Sequence, residues 1–323
     1  MASLFLLFLL LLLLPCALLI LLYFFVRPRP IKIPIKDRHV FITGGSSGIG
    51  LALARQATLD GARVSILARN PNKLEDARAS IRQSTGADVA VFSADVRDAD
   101  AVRHAIEKAG PVDVLICNHG VFAAQKLESQ DLEAAKFMID VNLTGTINLI
   151  KAALPGMKNR GDRGPASIAM ISSQAGQVGV YGYAAYSASK FGLRGLGESL
   201  QQELIGDNIH VSLIFPPETD TPGQSQDLKT RPELCNIIVA SSSPMKPDEV
   251  AAVTLNGIKS GTFSVACNFD GVMLSVATAE LLKDGTYKKN RNRCRAVICL
   301  QIIWAKTIGE APKDVKYCVR QSK

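Results

Sequence analysis

The segment His39-Val40-Phe41-Ile42-Thr43-Gly44-Gly45-Ser46-Ser47-Gly48-Ile49-Gly50 predicts a short apolar strand, a glycine-rich turn and the start of a helix, in that order. Glycines let the backbone turn tightly and approach a ligand closely, and a helix N-terminus presents unpaired N–H groups that bind anions. This pattern is typical of a turn that binds the pyrophosphate of a dinucleotide. The residues predicted to contact it are Gly44, Ser46, Ser47, Gly48 and Ile49. A tight strand-to-helix turn without a ligand is the alternative.

Five further strand-like runs follow near residues 64, 90, 113, 168 and 211, with helical stretches between them. Strands that alternate with helices indicate an α/β fold in which helices cover both faces of a mostly parallel sheet, the doubly wound Rossmann fold. The run Val112-Asp113-Val114-Leu115-Ile116-Cys117-Asn118-His119-Gly120 agrees, because its apolar core is typical of a strand buried on both faces. We place this domain at residues 37–282, a length that one such domain can fill.

A second pattern, Tyr186-Ser187-Ala188-Ser189-Lys190, lies in the second half of the chain. On a helix, positions four apart share a face, so Tyr186 and Lys190 can point into one cleft. A phenol ionises near pH ~10 and becomes a useful acid near neutral pH when a fixed cation stabilises its phenolate. Ser173 can then hydrogen-bond the reacting oxygen, with the adjacent Ser172 as the alternative hydroxyl. Without a cleft, the same spacing describes only a solvated helix face.

The end of the second strand indicates which dinucleotide binds. Proteins that prefer NAD usually place an acid there for the ribose 2′-hydroxyl, whereas an arginine accommodates a 2′-phosphate. Here the strand has no acid, and Arg69 with Lys73 one turn later forms a cationic pair that suits a phosphate. The sequence therefore predicts NADPH, with two ordinary surface cations as the alternative. Asp95, at the end of the third strand, is expected to hydrogen-bond the adenine amino group.

These motifs, in this order, resemble the classical short-chain dehydrogenase/reductase family over residues 36–266. The pattern Thr-Gly-x-x-x-Gly-x-Gly of that family matches at residues 43–50. The resemblance implies a catalytic set of Asn142, Ser173, Tyr186 and Lys190, with Asn142 holding a relay water from within a long helix. It also implies cofactor contacts at Val96, Asn118, Tyr186 and Lys190, and pairing into a homodimer through the helices that carry Asn142 and Tyr186. Two departures line the cofactor side of the cleft: Asn118-His119-Gly120 replaces Asn-Ala-Gly, and Pro216-Pro217 replaces Pro-Gly.

Within the family, the string Phe215-Pro216-Pro217-Glu218-Thr219-Asp220-Thr221-Pro222-Gly223 resembles the plant branch that reduces the 3-keto group of long-chain sphingoid bases. That resemblance implies a substrate, 3-ketosphinganine, and a place at the endoplasmic reticulum membrane. Two alternatives stay open. The first is a membrane-anchored reductase of another lipid, steroid or retinoid carbonyl, which would differ in the loop over residues 218–245. The second is a catalytically weak scaffold that binds membranes or partners.

The N-terminus predicts a membrane anchor at residues 1–26. Residues 2–26 carry no charge and include thirteen leucines. As a helix they would extend for about 37 Å against a hydrocarbon core of about 30 Å. Cations at 27, 29, 32 and 36 follow the apolar stretch, so we expect the catalytic domain to face the cytosol. Pro15 leaves a hairpin-like monotopic insertion as the alternative. Residues 27–36, which begin with alternating prolines, are the predicted linker.

The predicted C-terminal tail, residues 283–323, accounts for the net charge of +8, because it contains eleven Lys and Arg and three acids. A basic segment in a membrane-associated protein indicates attraction to anionic lipid headgroups, with a disordered tail that binds nothing as the alternative. Nucleic-acid binding is not expected, since no binding motif accompanies the charge. The seven cysteines form no Cys-x-x-Cys pair, so the sequence predicts neither a metal site nor a disulfide framework.

Overall fold

The structure is a computed structural model that describes residues 13–15, 17–18, 21, 31–161, 163–228, 231–233, 235–236 and 244–278. The predicted anchor lies outside the described residues apart from six positions, and the predicted tail lies wholly outside them. Among the described residues, no helix is long and apolar enough to cross a membrane.

Parallel strands form a seven-stranded sheet within the described part of the chain, in the order β3-β2-β1-β4-β5-β6-β7. All six strand pairings are parallel. The strands are β1 (His39–Thr43), β2 (Arg63–Ala68), β3 (Ala90–Ser93), β4 (Val114–Cys117), β5 (Ala166–Ile171), β6 (Ile209–Phe215) and β7 (Ser264–Ala266). The chain reverses its direction of winding between β3 and β4, so the carboxyl ends of β1 and β4 flank the crevice where such sheets bind ligands.

Helices cover both faces of this sheet. They are α1 (Gly48–Leu59), α2 (Pro71–Thr85), α3 (Ala99–Ala109), α4 (Leu132–Ile139), α5 (Gly145–Lys158), α6 (Ala184–Leu204), α7 (Pro222–Asp227), α8 (Pro247–Lys259) and α9 (Phe269–Ala277). The buried side chains form two large hydrophobic clusters. One contains Phe41 and residues of α3, α5 and α6, and the other contains Val40, Ile42 and residues of α1, α2 and α8. Neighbouring residues of β1 therefore point into opposite clusters, as strand geometry requires.

The doubly wound fold and its six predicted strands are confirmed, and two features differ from expectation. The seventh strand, β7, was not predicted, because its three residues are too short to form a recognisable pattern. Part of the predicted linker packs into the core: Ile33 and Ile35 are buried, and the Ile33 N–H donates to the Lys259 carbonyl at the end of α8. The folded domain therefore includes residues before position 37.

A buried carboxylate lies at the amino end of β4, on the edge of the sheet opposite the glycine turn. Asp113 accepts hydrogen bonds from the His39 N–H at 2.9 Å and from Arg163 at 2.6 Å. Arg160 at 3.4 Å and Arg38 at 3.6 Å complete the cluster. Asp113 therefore ties the starts of β1 and β4 to the loop that precedes β5.

Candidate active site

A cavity of about 250 Å³ lies at the carboxyl edge of the sheet, where the loops after β1, β4, β5 and β6 meet. Its wall contains Ile49 at the start of α1, groups from the loops after β4, β5 and β6, and groups from α6, among them Asn118, Ser173, Tyr186, Lys190, Pro216 and Pro217. The glycine turn, the serine, and the tyrosine and lysine are far apart in sequence, and the fold brings them to one cavity. This convergence favours a cleft over the solvated helix face.

Tyr186 and Lys190 lie one turn apart on α6, as their spacing predicted. The Lys190 ammonium lies 5.6 Å from the centroid of the Tyr186 ring and donates a hydrogen bond to the Ile171 carbonyl at 2.8 Å. The rings of Phe122 and Tyr183 flank Tyr186, with centroids 5.7 and 5.8 Å away. Aromatic contacts at these distances orient the Tyr186 ring within the cavity wall.

The two adjacent serines at the end of β5 have different partners. Ser172 is buried, and its hydroxyl donates a hydrogen bond to the Lys190 carbonyl at 3.1 Å. This bond ties the end of β5 to helix α6. Ser173 lies beside the Tyr186 hydroxyl and lowers its pKa, and the Ser173 Oγ accepts from the Ala175 N–H at 3.1 Å. The geometry therefore places Ser173, rather than Ser172, where it can contact a reacting oxygen together with Tyr186.

Burial shifts the proton affinities of both α6 side chains. Burial raises the pKa of Tyr186 to about 12, and the neighbouring Ser173 offsets only part of this rise. Burial also lowers the pKa of Lys190 to about 8, because its ammonium is desolvated. The expectation that Lys190 lowers the pKa of Tyr186 is not met in this structure, because burial of the phenol and the nearby charge of Asp227 both raise that pKa. Tyr186 is thus fully protonated near neutral pH and can act as an acid.

Asn142 lies in a π-helical turn, Asp140–Thr144, between α4 and α5, rather than in a continuous α-helix. Its amide is buried, accepts from the Val121 N–H at 2.8 Å and donates to the Val121 carbonyl at 2.9 Å. The amide also donates to the Ser189 hydroxyl at 2.9 Å. A Cβ added at Gly120 would lie 3.4 Å from Asn142 Oδ1 and 3.5 Å from Lys190 Nζ, so both groups border one small space. The relay water expected there stays a prediction.

The glycine turn has the backbone that a phosphate-binding turn needs. Gly44 and Gly48 adopt φ values of +64° and +54°, a region that side chains rarely permit. A Cβ at Gly50 would collide with the Gly44 carbonyl oxygen, so α1 packs directly on the turn. Ser47 caps α1 without a side-chain hydrogen bond to the helix, which leaves the N-terminal N–H groups for an anion. The residues present therefore fit the pyrophosphate of a dinucleotide.

Asn118 links this turn to β4. Its side-chain amide donates to the Thr43 carbonyl at 3.2 Å and to the Gly44 carbonyl at 3.3 Å. Its backbone N–H donates to the Thr43 hydroxyl at 3.1 Å. Asn118 therefore fixes the shape of the turn in addition to lining the cavity.

The adenine end of the predicted cofactor site is cationic and includes one residue that the sequence analysis missed. Arg69 and Lys73 are exposed near the end of β2. The guanidinium groups of Arg97 and Arg69 lie 4.8 and 5.9 Å from the centroid of the Phe137 ring, which brings both to one place. Arg97 also binds both oxygens of Asp95, so the predicted contact of Asp95 with adenine stays a prediction.

Val96 and His119 connect the loops of the site to the start of α5. The side chain of Val96 packs closely against Gly145 at the start of α5. His119, one of the two departures from the family pattern, bonds through Nδ1 with the Thr43 hydroxyl at 2.7 Å and through Nε2 with the Thr146 hydroxyl at 3.3 Å. Burial and the nearby charge of Lys190 lower the pKa of His119 to about 3, so it is neutral near pH 7. His119 therefore bridges β1 to α5 as an uncharged group.

The cavity wall also contains an ionic cluster that the sequence did not predict. Arg231 pairs with Glu218 at 2.6 Å and with Asp227 at 2.8 Å. The Tyr183 hydroxyl donates to the second oxygen of Asp227 at 2.5 Å, and the Ala124 N–H donates to the first at 3.1 Å. Apart from Asp227 and Arg231, which are four residues apart, the partners are separated by 13 to 103 residues, so no local sequence pattern predicts their contacts.

Comparisons with known proteins agree with this geometry. Residues 38–232 match the family model described as short chain dehydrogenase. The 3-dehydrosphinganine reductase TSC10B of Arabidopsis thaliana is 61% identical over 287 residues, which cover 89% of this chain and 87% of that protein. The 3-dehydrosphinganine reductase TSC10A of the same plant is 64% identical over 253 residues, 78% of each chain.

A solved structure shows the same fold. The L-sorbose reductase from Gluconobacter frateurii, complexed with NADPH and L-sorbose, superimposes with a TM-score of 0.64 at 23% identity and covers 73% of this chain and 97% of that chain. This likeness shows the fold, and the class of the protein follows from the family match over residues 38–232 and from the two plant relatives. The chain belongs to the short-chain dehydrogenase/reductase family, and it is an oxidoreductase that acts on a ketone with a nicotinamide cofactor.

Proposed function

We propose that this protein reduces the 3-keto group of 3-ketosphinganine to sphinganine, with NADPH as the reductant. The choice of substrate rests on the 61% identity, over 89% of this chain, to a plant protein named as a 3-dehydrosphinganine reductase. The cavity supplies the chemistry, because its wall combines the Ser173, Tyr186 and Lys190 groups with apolar and aromatic side chains.

The reaction follows from the two hydroxyl groups that meet in the cavity. A ketone oxygen placed between Ser173 and Tyr186 receives hydrogen bonds from both, and these strengthen as negative charge develops on that oxygen. Bound NADPH would supply the hydride. Tyr186 donates its proton to the developing alkoxide, which is more basic than a phenolate even when burial has raised the pKa of the phenol to about 12.

Lys190 positions groups rather than transferring the first proton. An ammonium has three N–H donors, and the Ile171 carbonyl accepts from one of them. The others can hold the ribose hydroxyls of the cofactor. The positive charge beside Tyr186 also stabilises the phenolate that forms when the proton leaves.

The preference for NADPH rests on charge at the end of β2. Arg69 and Arg97 lie on the same Phe137 ring, and the end of β2 carries no acid of the kind that binds a ribose 2′-hydroxyl. A guanidinium favours a 2′-phosphate by its charge and by its forked geometry. This distribution supports NADPH over NADH.

We also propose that the N-terminal segment anchors the protein in the endoplasmic reticulum membrane, with the catalytic domain in the cytosol. Its 25 uncharged residues support this, and the four leucines described in it, Leu13, Leu14, Leu18 and Leu21, are each more than half exposed. Exposed leucines are stable in lipid and unfavourable in water. Protease protection and flotation of membrane vesicles would test the anchor and its orientation.

The full-length protein in liposomes provides the test of the reaction. NADPH oxidation is followed with and without 3-ketosphinganine, and sphinganine is identified by mass spectrometry. We expect sphinganine to form in proportion to the NADPH consumed. If the protein binds NADPH but forms no sphinganine, the proposed substrate is wrong, and a panel of steroid and retinoid ketones would follow.

A further inference from the structure

We propose that Glu218 binds the ammonium group of the sphingoid ketone and so makes the enzyme selective for a 2-amino ketone. This inference rests on the proposed function, because it concerns how the same cavity holds that substrate. A sphingoid ketone carries its amino group on the carbon next to the ketone. When the ketone oxygen contacts Ser173 and Tyr186, the ammonium must therefore lie within the same cavity.

Glu218 is fixed in the wall of that cavity. It follows β6 directly after Pro216 and Pro217, and all three line the cavity together with Ser173 and Tyr186. The Glu218 carbonyl accepts from the Met245 N–H at 2.9 Å, and the next residue, Thr219, forms a parallel bridge with Met245. The backbone at Glu218 is thus held by its pairing with Met245.

The ionic cluster around Arg231 leaves one carboxylate oxygen unused. Arg231 binds Glu218 through Oε1 and Asp227 through Oδ2. Tyr183 and Ala124 also donate to the two oxygens of Asp227. In the part of the chain that the structure describes, Oε2 of Glu218 has no hydrogen-bond partner. Glu218 is also the most exposed of the three, at 15% of its side chain against 5% for Arg231 and 1% for Asp227.

The charge of this cluster suits a cation. Glu218 shares the guanidinium of Arg231 with Asp227, and its carboxylate is partly removed from water. A partly desolvated charge is unfavourable unless an opposite charge accompanies it, so an entering ammonium is attracted to this wall. The substrate ammonium also needs this charge, because Lys190 presents a positive charge to the same cavity. An ion pair between Glu218 and the ammonium would neutralise the partly desolvated carboxylate. It would also hold the ammonium away from the positive charge of Lys190.

The test compares two substrates that differ only in the amino group: 3-ketosphinganine and its deamino analogue, 1-hydroxyoctadecan-3-one. In Glu218→Gln the side chain keeps its shape and its bond to Arg231 but loses its charge. We expect kcat/KM for 3-ketosphinganine to fall about 10- to 100-fold, the usual range for a hydrogen bond between charged groups. The value for the deamino ketone should stay near wild type, which also shows that the variant is folded.

Glu198→Gln is the matched control. Glu198 also accepts from an arginine, Arg194, at 3.1 Å, but it lies two turns beyond Lys190 on α6 and outside the cavity. This variant should treat both substrates as wild type does. Glu218→Asp, which keeps the charge, should retain part of the preference for the amino ketone.

Two results would overturn the inference while leaving the reductase activity in place. One is an equal loss of kcat/KM on both substrates in Glu218→Gln, which would make Glu218 a partner of Arg231 only. The other needs no variant: wild-type enzyme that reduces both ketones with similar kcat/KM does not recognise the ammonium. Wild-type enzyme that reduces the deamino ketone and not 3-ketosphinganine would instead refute the proposed substrate itself.

Discussion

The adjacent serines at the end of β5 allow a prediction in which each variant serves as the control for the other. Ser173→Ala removes the hydroxyl that meets Tyr186 in the cavity, whereas Ser172→Ala removes the hydroxyl that donates to the Lys190 carbonyl. The two substitutions delete the same atom from neighbouring positions. The structure predicts that they damage different properties.

Their effects on stability should be similar. Ser172→Ala loses one buried hydrogen bond, worth about 1 kcal/mol, while the Lys190 carbonyl remains inside helix α6. Ser173→Ala loses the hydrogen bond from the Ala175 N–H, which caps a short helical turn, also worth about 1 kcal/mol. For a domain of this size, each loss should lower Tm by about 2–4 °C.

Their effects on catalysis should differ. Removing one donor to a developing oxyanion lowers kcat by about 100- to 1,000-fold, so Ser173→Ala should show a loss of that order. Ser172→Ala should keep most of the wild-type kcat. Both values come from sphinganine formation in liposomes at saturating NADPH, and Tm comes from thermal unfolding of the same preparations. Equal losses of kcat in the two variants, or an active Ser173→Ala, would show that the reacting oxygen is not where we place it.

Tyr186→Phe should lower kcat by about 100- to 10,000-fold because it removes the proton donor, while NADPH binding measured by fluorescence stays close to wild type; an active variant would contradict the role of the phenol. Arg69→Ala should raise the KM for NADPH about tenfold or more and change the KM for NADH little; equal changes would refute the 2′-phosphate contact. Because burial lowers the pKa of Lys190 to about 8, kcat/KM should fall above pH 8 as the ammonium loses its proton, and a flat profile up to pH 10 would contradict its role. An unfolded lysine keeps its proton to pH ~10.4, so the unfolded chain binds more protons between pH 8 and that value, and this residue's contribution to stability should rise there. Asp113→Ala leaves the buried Arg160 without its carboxylate and should lower the free energy of unfolding by about 3–5 kcal/mol in urea titrations. The kcat per folded molecule should not change, because Asp113 lies at the opposite edge of the sheet.

Local patterns predicted the parts of the site that neighbouring residues determine. The glycine turn needs left-handed backbone at Gly44 and Gly48, and only a few residue types permit it. The spacing of Tyr186 and Lys190 reflects the helical repeat, so their common direction followed from the sequence once a helix was assumed. The long apolar strands were equally clear, because burial on both faces leaves little choice of residue type.

Contacts between distant segments were not predictable in this way. His119 lies between Thr43 and Thr146, and neither hydroxyl has a sequence signal that points to a histidine. The pairing of Arg231 with Glu218 depends on how the loop after β6 folds over the cavity. The pKa of Tyr186 depends on how much water reaches the hydroxyl, so the sequence suggested a lowering of this pKa by Lys190 and did not reveal that burial raises it.

The π-helical turn at Asp140–Thr144 has a consequence for the position of Asn142. Such a turn holds one residue more than an α-helical turn, so the loss of a single residue there would leave a continuous α-helix and keep the direction of the residues beyond it. Gly145 would still face Val96, and Thr146 would still face His119. The wide turn itself would be lost, and with it the placement of Asn142 against Val121 and Ser189. The extra residue in this turn therefore bears on the position of Asn142 rather than on the packing of α5.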